Sequence, residues 1–193
     1  MEYLKNIEHI NLSTAWAKLD RIDYDFKFKT GEWKRLSRET YNRGNGAAVL
    51  LYNKAKGTVI LTRQFRMPIY ENDTRDSMSI EVCAGAIDNN DSPLETIIRE
   101  TEEEVGYKIT DATQVLIAYT SPGALTEKMY LFVAEYRDSM KINDGGGLES
   151  EHEEIEILEL PFQKVLEMMA NEEIIDAKTI MLLQYAQIHE LVL

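Results

Sequence analysis

The stretch Gly85–Tyr107, GAIDNNDSPLETIIRETEEEVGY, decides how the rest of the chain is read. It predicts a loop entering an acidic helix. Ser92 suits an N-cap, Pro93 the first helical position, and Glu95 the carboxylate position of a capping box. Leu94, Ile97, Ile98, Thr101 and Val105 recur at helical spacing and predict one buried stripe. At roughly 100° per residue, Glu100, Glu103 and Glu104 fall together on a different sector. Packing the stripe therefore holds three carboxylates side by side at one edge of the core. Like charges at i and i+4 destabilise a helix by a few tenths of a kcal/mol, so local propensity does not explain them. A divalent cation would, because hard Mg²⁺ or Mn²⁺ takes carboxylate oxygens and keeps room for water and phosphate. The bland alternative is a solvated charged face, the usual fate of a Glu-rich helix.

Around this helix the spacing is more specific than three glutamates. Gly85, five residues, Asp91, seven residues, Arg99-Glu100, two residues, Glu103-Glu104, one residue, then Gly106-Tyr107 resembles the box that marks the Nudix hydrolases. Asp91 stands where that family usually has Glu, and Thr101 where it usually has an aliphatic residue. Asp91 lies ahead of the helix and can keep a loop contact, while Thr101 still offers a methyl group to the core. Neither departure removes a metal ligand.

Whole-chain properties are compatible. At 193 residues, one compact domain with a sizeable core and an extra lobe is expected. A formal charge of -13 argues against nucleic acid or an anionic membrane as partner. It also repels a polyphosphate, so binding one must rest on metal ions and a few local Arg or Lys side chains. Cys83 is the single cysteine. No internal disulfide is possible, which fits a reducing cytoplasm, and its expected place is a small buried strand position. No charged-then-apolar leader opens the chain and no apolar run reaches membrane-spanning length, so a soluble protein is expected.

Residues 1–42 read as a separate β lobe and 43–193 as the main domain. Tyr24, Phe26 and Phe28 alternate with polar residues, Thr30-Gly31 supplies a turn, and a strand from Glu32 to Tyr41 returns. Such a small sheet needs something to lie against, and a second subunit is one candidate. Trp16 and Trp33 are expected in core packing by default; an exposed ring that stacks on a flat base is the sharper alternative for Trp16. Further on, Ala47–Tyr52 and Thr58–Phe65 read as a hairpin, Glu71–Ser77 as a polar loop, and Ser79–Ala84 as one strand. Gln114–Tyr119, Met129–Tyr136 and Ile155–Leu160 read as later strands. Phe162–Ala170 and Ala177–Leu191 read as closing helices, the second capped by Asp176. Thr120–Glu127 is a rigid Pro-Gly turn. Gly145-Gly146-Gly147 reads as a hinge ahead of an acidic run that is mostly solvated surface. Lys178 lies in a helix first turn, unfavourable for a cation yet suited to an anion site.

The resemblance extends over the whole chain. Pro122 stands where the nucleoside diphosphate sugar branch of the Nudix family places a proline. SRETYNRGNGA, LTRQFR, CAG, YTSPGALTE, GGGLESE, ILELPF and DAKT are similar to bacterial GDP-mannose pyrophosphatases. The fold implied is α+β: a mixed sheet sandwiched between helices, plus a small N-terminal antiparallel lobe, usually as a homodimer. Metal, Mg²⁺ with Mn²⁺ as a possible substitute, would be held by the Ala84 carbonyl, Glu100, Glu104 and Glu151. Trp16, Arg38, Glu39, Arg66, Gly85, Ala86, Glu104, Glu127, Ser150 and Lys178 match positions that contact the nucleotide sugar. Glu103 is implied as a further ligand or water-positioner, and Glu127 or Glu151 as the general base, a choice that turns on reach. The reaction implied is hydrolysis of GDP-mannose to GMP and mannose 1-phosphate. ADP-ribose or another sugar nucleotide as substrate, and a regulator that binds without cleaving, are the alternatives.

Overall fold

The computed structural model describes residues 2–72, 77–88, 90–148 and 154–192. Two compact units divide the chain: Met1–Asn45 with Tyr119–Lys128, and Gly46–Ala118 with Met129–Leu193.

In the first unit, strands β1 (Leu4–Ser13), β2 (Lys18–Lys27) and β3 (Trp33–Asn42) form an antiparallel meander. The expected turn closes β2 onto β3, with Gly31 at φ 87, a left-handed conformation that suits glycine. Phe26 packs edge-to-face on Phe28 with ring centroids 5.5 Å apart. The segment Tyr119–Lys128 joins this sheet at one point: Tyr41 N–H donates to the Ala124 carbonyl and Thr126 N–H to the Tyr41 carbonyl. Core packing of the two tryptophans is corrected here. Trp16 is 76% exposed and Trp33 36%, because a single layer of strands offers no facing layer to bury them.

In the second unit, β4 (Gly46–Asn53), β5 (Thr58–Phe65), β8 (Thr113–Tyr119), β9 (Lys128–Glu135) and β10 (Glu156–Pro161) line up in the order β10-β5-β4-β9-β8. β6 (Met78–Glu81) pairs with β5 and β7 (Cys83–Ala86) with β4. The β4–β9 pair is parallel and the β4–β5, β4–β7, β5–β6 and β5–β10 pairs antiparallel, so the sheet is mixed. β4 is almost wholly buried, as a strand covered on both faces must be. Its Ala47, Val49 and Leu51 face one core with Ile97 and Val105 of α2 (Pro93–Val105). Ala48 and Leu50 face the other, with residues of α3 (Phe162–Ala170) and α4 (Ala177–Ile188). This is the helix–sheet–helix sandwich that the sequence implied.

Local chemistry sets the helix bounds. Ser92 Oγ accepts from Glu95 N–H and Glu95 returns the bond to Ser92 N–H, a complete capping box, and Gly106 closes α2 at φ 76. Asp176 caps α4 by accepting from Thr179 N–H. Two expectations change. A short helix, α1 (Met67–Asn72), takes Glu71 and Asn72 from the expected loop, of which residues 73–76 lie outside the described residues. The expected single strand Ser79–Ala84 is two strands broken at Val82, whose N–H leaves the ladder and donates to Thr179 Oγ1 at 2.9 Å. No helix among the described residues is long and apolar enough to cross a membrane.

Candidate active site

α2 buries Ile97, Thr101 and Val105 completely, and that packing brings its acidic sector onto the edge strand β7. Glu104, only 3% exposed, accepts from the Ala84 N–H at 3.1 Å. Glu100 lies against Gly85 so closely that a Cβ there would sit 2.0 Å from Glu100 Oε1. The glycine therefore makes the space that the Glu100 carboxylate fills. Burial pushes the Cys83 thiol well up, and the charges of Glu104 and Glu100 push it further. A thiol held neutral in this way is no nucleophile. Arg99 pairs with Glu100 at 3.0 Å and Glu103 at 2.8 Å, steadying the outer part of the sector.

Two adjacent carboxylates at the rim of the core, with room made by a missing side chain, fit a hard divalent cation. Among the described residues no three acidic, His or Cys side chains converge on one point. The pair needs further oxygens, for which the Ala84 carbonyl and Glu151 are the implied sources. Glu151 and Ser150 lie outside the described residues. The glycines ahead of them are docked: Gly146 and Gly147 N–H donate to the carbonyls of Glu104 and Glu103 at 2.8 and 3.2 Å. A Cβ on Gly145 would come within 2.6 Å of the Glu104 carbonyl, so the expected hinge is first a clamp on the end of α2.

Arg66 and Lys178, far apart in sequence, meet on one carboxylate that the sequence did not single out. Glu81 accepts from Arg66 Nε at 2.8 Å and Arg66 Nη2 at 2.9 Å, and from Lys178 Nζ at 2.5 Å. Lys178 also donates to Asp176 at 3.1 Å. A motif search could not have found Glu81, because it carries no pattern of its own. Burial alone would raise its pKa, but the Arg66 bonds and the Lys178 charge outweigh this and hold it at about 2, below the ordinary 4.5. A depressed carboxyl contributes stability above its unfolded value and loses it as pH falls towards its folded value. The thermal midpoint of the wild type is therefore expected to drop as pH falls from about 4.5 to about 2, and the Glu81→Gln variant to show a shallower drop in the same window.

Four implied contacts belong to the first unit. Trp16 is exposed, tilted against Tyr41 at 6.4 Å, with the Arg43 guanidinium 5.6 Å from its ring centre. Arg38 and Glu39 are exposed on β3 and line an open hollow of about 600 Å³ with Leu4, Ile22, Tyr24 and residues 122–126. Glu127 is buried, paired with Arg43 at 3.0 Å, and accepts from Thr120 Oγ1 at 3.4 Å. In the second unit, Ala86 is exposed at the end of β7.

Residues 42–183 match the NUDIX domain family, and residues 4–41 match the GDP-mannose pyrophosphatase NudK N-terminal domain. A GDP-mannose pyrophosphatase of Yersinia pestis (strain Pestoides F) is 49% identical over 186 residues, 96% of this chain and 92% of that protein. One from Pectobacterium atrosepticum is 49% identical over 180 residues, covering 93% of this chain and 92% of its own. Among solved structures, an ADP compounds hydrolase superposes with a TM-score of 0.70 at 21% identity, covering 95% of this chain and 91% of that one, a likeness of fold alone. The box of acidic residues on α2, the sandwich that presents it and these matches agree: the chain belongs to the Nudix hydrolase family.

Proposed function

We propose that the protein hydrolyses the pyrophosphate bond of a nucleotide sugar, with GDP-mannose as substrate and GMP and mannose 1-phosphate as products. One observation carries the chemistry: Glu104 and Glu100 both lie against β7, the first bonded to the Ala84 N–H and the second filling the space left by Gly85. The names borne by relatives at nearly half identity support the substrate.

Glu100 and Glu104, with the Ala84 carbonyl and Glu151, would hold Mg²⁺, or Mn²⁺ in its place. A cation bound there would offset the phosphates' charge and act as a Lewis acid on them. Arg66 suits forked contact with phosphate oxygens. Lys178, at the first turn of α4, adds a second cation to a helix N-terminus. Glu103, tied to Arg99, positions water or adds a ligand. Arg38, Glu39, Gly85, Ala86, Glu127 and Ser150 contact the nucleotide sugar, and the exposed Trp16 ring suits stacking on a base. Glu127 or Glu151 takes the proton from water. The exposed Ile7 and Leu12 of β1, with Tyr3 just ahead of it, support a homodimer built through this lobe. Cys83, buried and free, is compatible with a cytoplasmic setting.

A panel of nucleotide sugars, assayed with Mg²⁺ and with chelator, tests the reading. Cleavage of GDP-mannose that stops with chelator is the expected result. Preference for an ADP-sugar would reassign the substrate, and binding without cleavage of any would make the protein a regulator.

A further inference from the structure

We infer that Glu81 is a positioning residue, which fixes Arg66 and Lys178 as a paired cationic grip on the substrate's diphosphate. The inference rests on the nucleotide-sugar reading above.

Three features set Glu81 apart from an ordinary structural ion pair. First, one carboxylate, 4% exposed, serves two cations, Arg66 through both prongs and Lys178 through the oxygen it shares with Arg66 Nη2. Second, the tie between β6 and α4 does not need it. Val82 N–H, directly after β6, already donates to Thr179 Oγ1 of α4 at 2.9 Å, and that hydroxyl is held in turn by the Asp176 carboxylate at 2.6 Å. Third, the Arg66 side chain remains 41% exposed, and Glu81 takes only two of a guanidinium's five N–H donors. The outer N–H groups stay at the disposal of an anion.

The setting explains why a grip needs a holder. Arg66 feels the charge of Glu104 as well as that of Glu81. A loose arginine beside metal-ligating carboxylates would fold onto them, as Arg99 pairs with Glu100 and Glu103, and would compete with a cation there. The forked bond to Glu81 turns Arg66 to a different acceptor and leaves Glu104 its cation. It also removes rotamer freedom before substrate arrives, so less ordering is required on binding.

The test uses the full-length enzyme. GDP-mannose binding is measured by calorimetry with chelator present, where no turnover is expected, and kcat and KM are measured with Mg²⁺. Glu81→Gln is expected to weaken binding and raise KM by about tenfold each, with a smaller change in kcat. In the Arg66→Met background the same substitution should cost much less, because its effect runs through Arg66. Glu81→Asp, which keeps the charge but shortens the reach, should fold like the wild type and still raise KM several-fold, so it decides the matter should Glu81→Gln fail to fold. Wild-type KM in Glu81→Asp, wild-type binding in Glu81→Gln, or strict additivity with Arg66→Met would overturn the inference. A wild type that binds and cleaves no nucleotide sugar would sink the functional reading and this inference with it.

Discussion

Glu104→Gln is expected to lower kcat by about a thousandfold or more while moving the thermal midpoint by only a few degrees. The two halves of that expectation have separate physical causes. Glu104 is nearly sealed in the core edge, and its carboxylate accepts from the Ala84 N–H. A glutamine is the same size and its amide oxygen can keep that bond, so packing and backbone pairing survive. Removing a buried negative charge also relieves a desolvation cost, which offsets part of what is lost with Arg66. What cannot survive is the hold on a divalent cation, because a neutral amide is a far weaker ligand for a hard ion than a carboxylate. Steady-state kinetics with GDP-mannose, a Mn²⁺ titration by calorimetry and a melting curve read the three consequences apart. Turnover like the wild type's would mean that the acidic face of α2 is structural, whatever its pattern resembles.

The helix at the centre of this expectation was legible because every instruction for it is local. The Ser92 cap, Pro93, the Glu95 return bond and the apolar spacing all lie within a few residues of one another, and the structure reproduces them. Strand β5 and helix α3 begin and end where their patterns say, β5 starting directly after the turn at residues 54–57. Legibility ends where a residue's role depends on distant parts. Glu81 reads as one polar residue in a strand; its partners lie 15 and 97 positions away and reach it only through the fold. The break at Val82 has the same origin, because the acceptor that draws its N–H out of the ladder is Thr179. Trp16 misled in the opposite direction. Large aromatic rings are usually well buried, but a sheet of one layer leaves this ring on the surface.

Gly85→Ala tests the other proposed metal ligand, Glu100, without substituting it. The added methyl would lie 2.0 Å from Glu100 Oε1, 2.1 Å from its Cδ and 2.3 Å from its Cγ. No atoms can share that space. All three belong to the outer part of a flexible side chain, so the side chain yields and the backbone does not. Gly85 is also absent from the positions held at positive φ, so alanine meets no strain of its own in β7. The fold should therefore persist, with a stability loss of about 1–2 kcal/mol for the displaced carboxylate and its altered pairing with Arg99. Glu100, however, can no longer lie where it joins Glu104, and a ligand set short of one carboxylate holds a divalent ion more weakly. Mn²⁺ affinity and kcat/KM are expected to fall together by about a hundredfold or more, in a protein whose melting curve stays cooperative. Raising Mg²⁺ should recover part of the rate, since the defect lies in occupancy. A Gly85→Ala enzyme with unchanged Mn²⁺ affinity would show that Glu100 is not a ligand, and that the space left by the glycine serves packing alone.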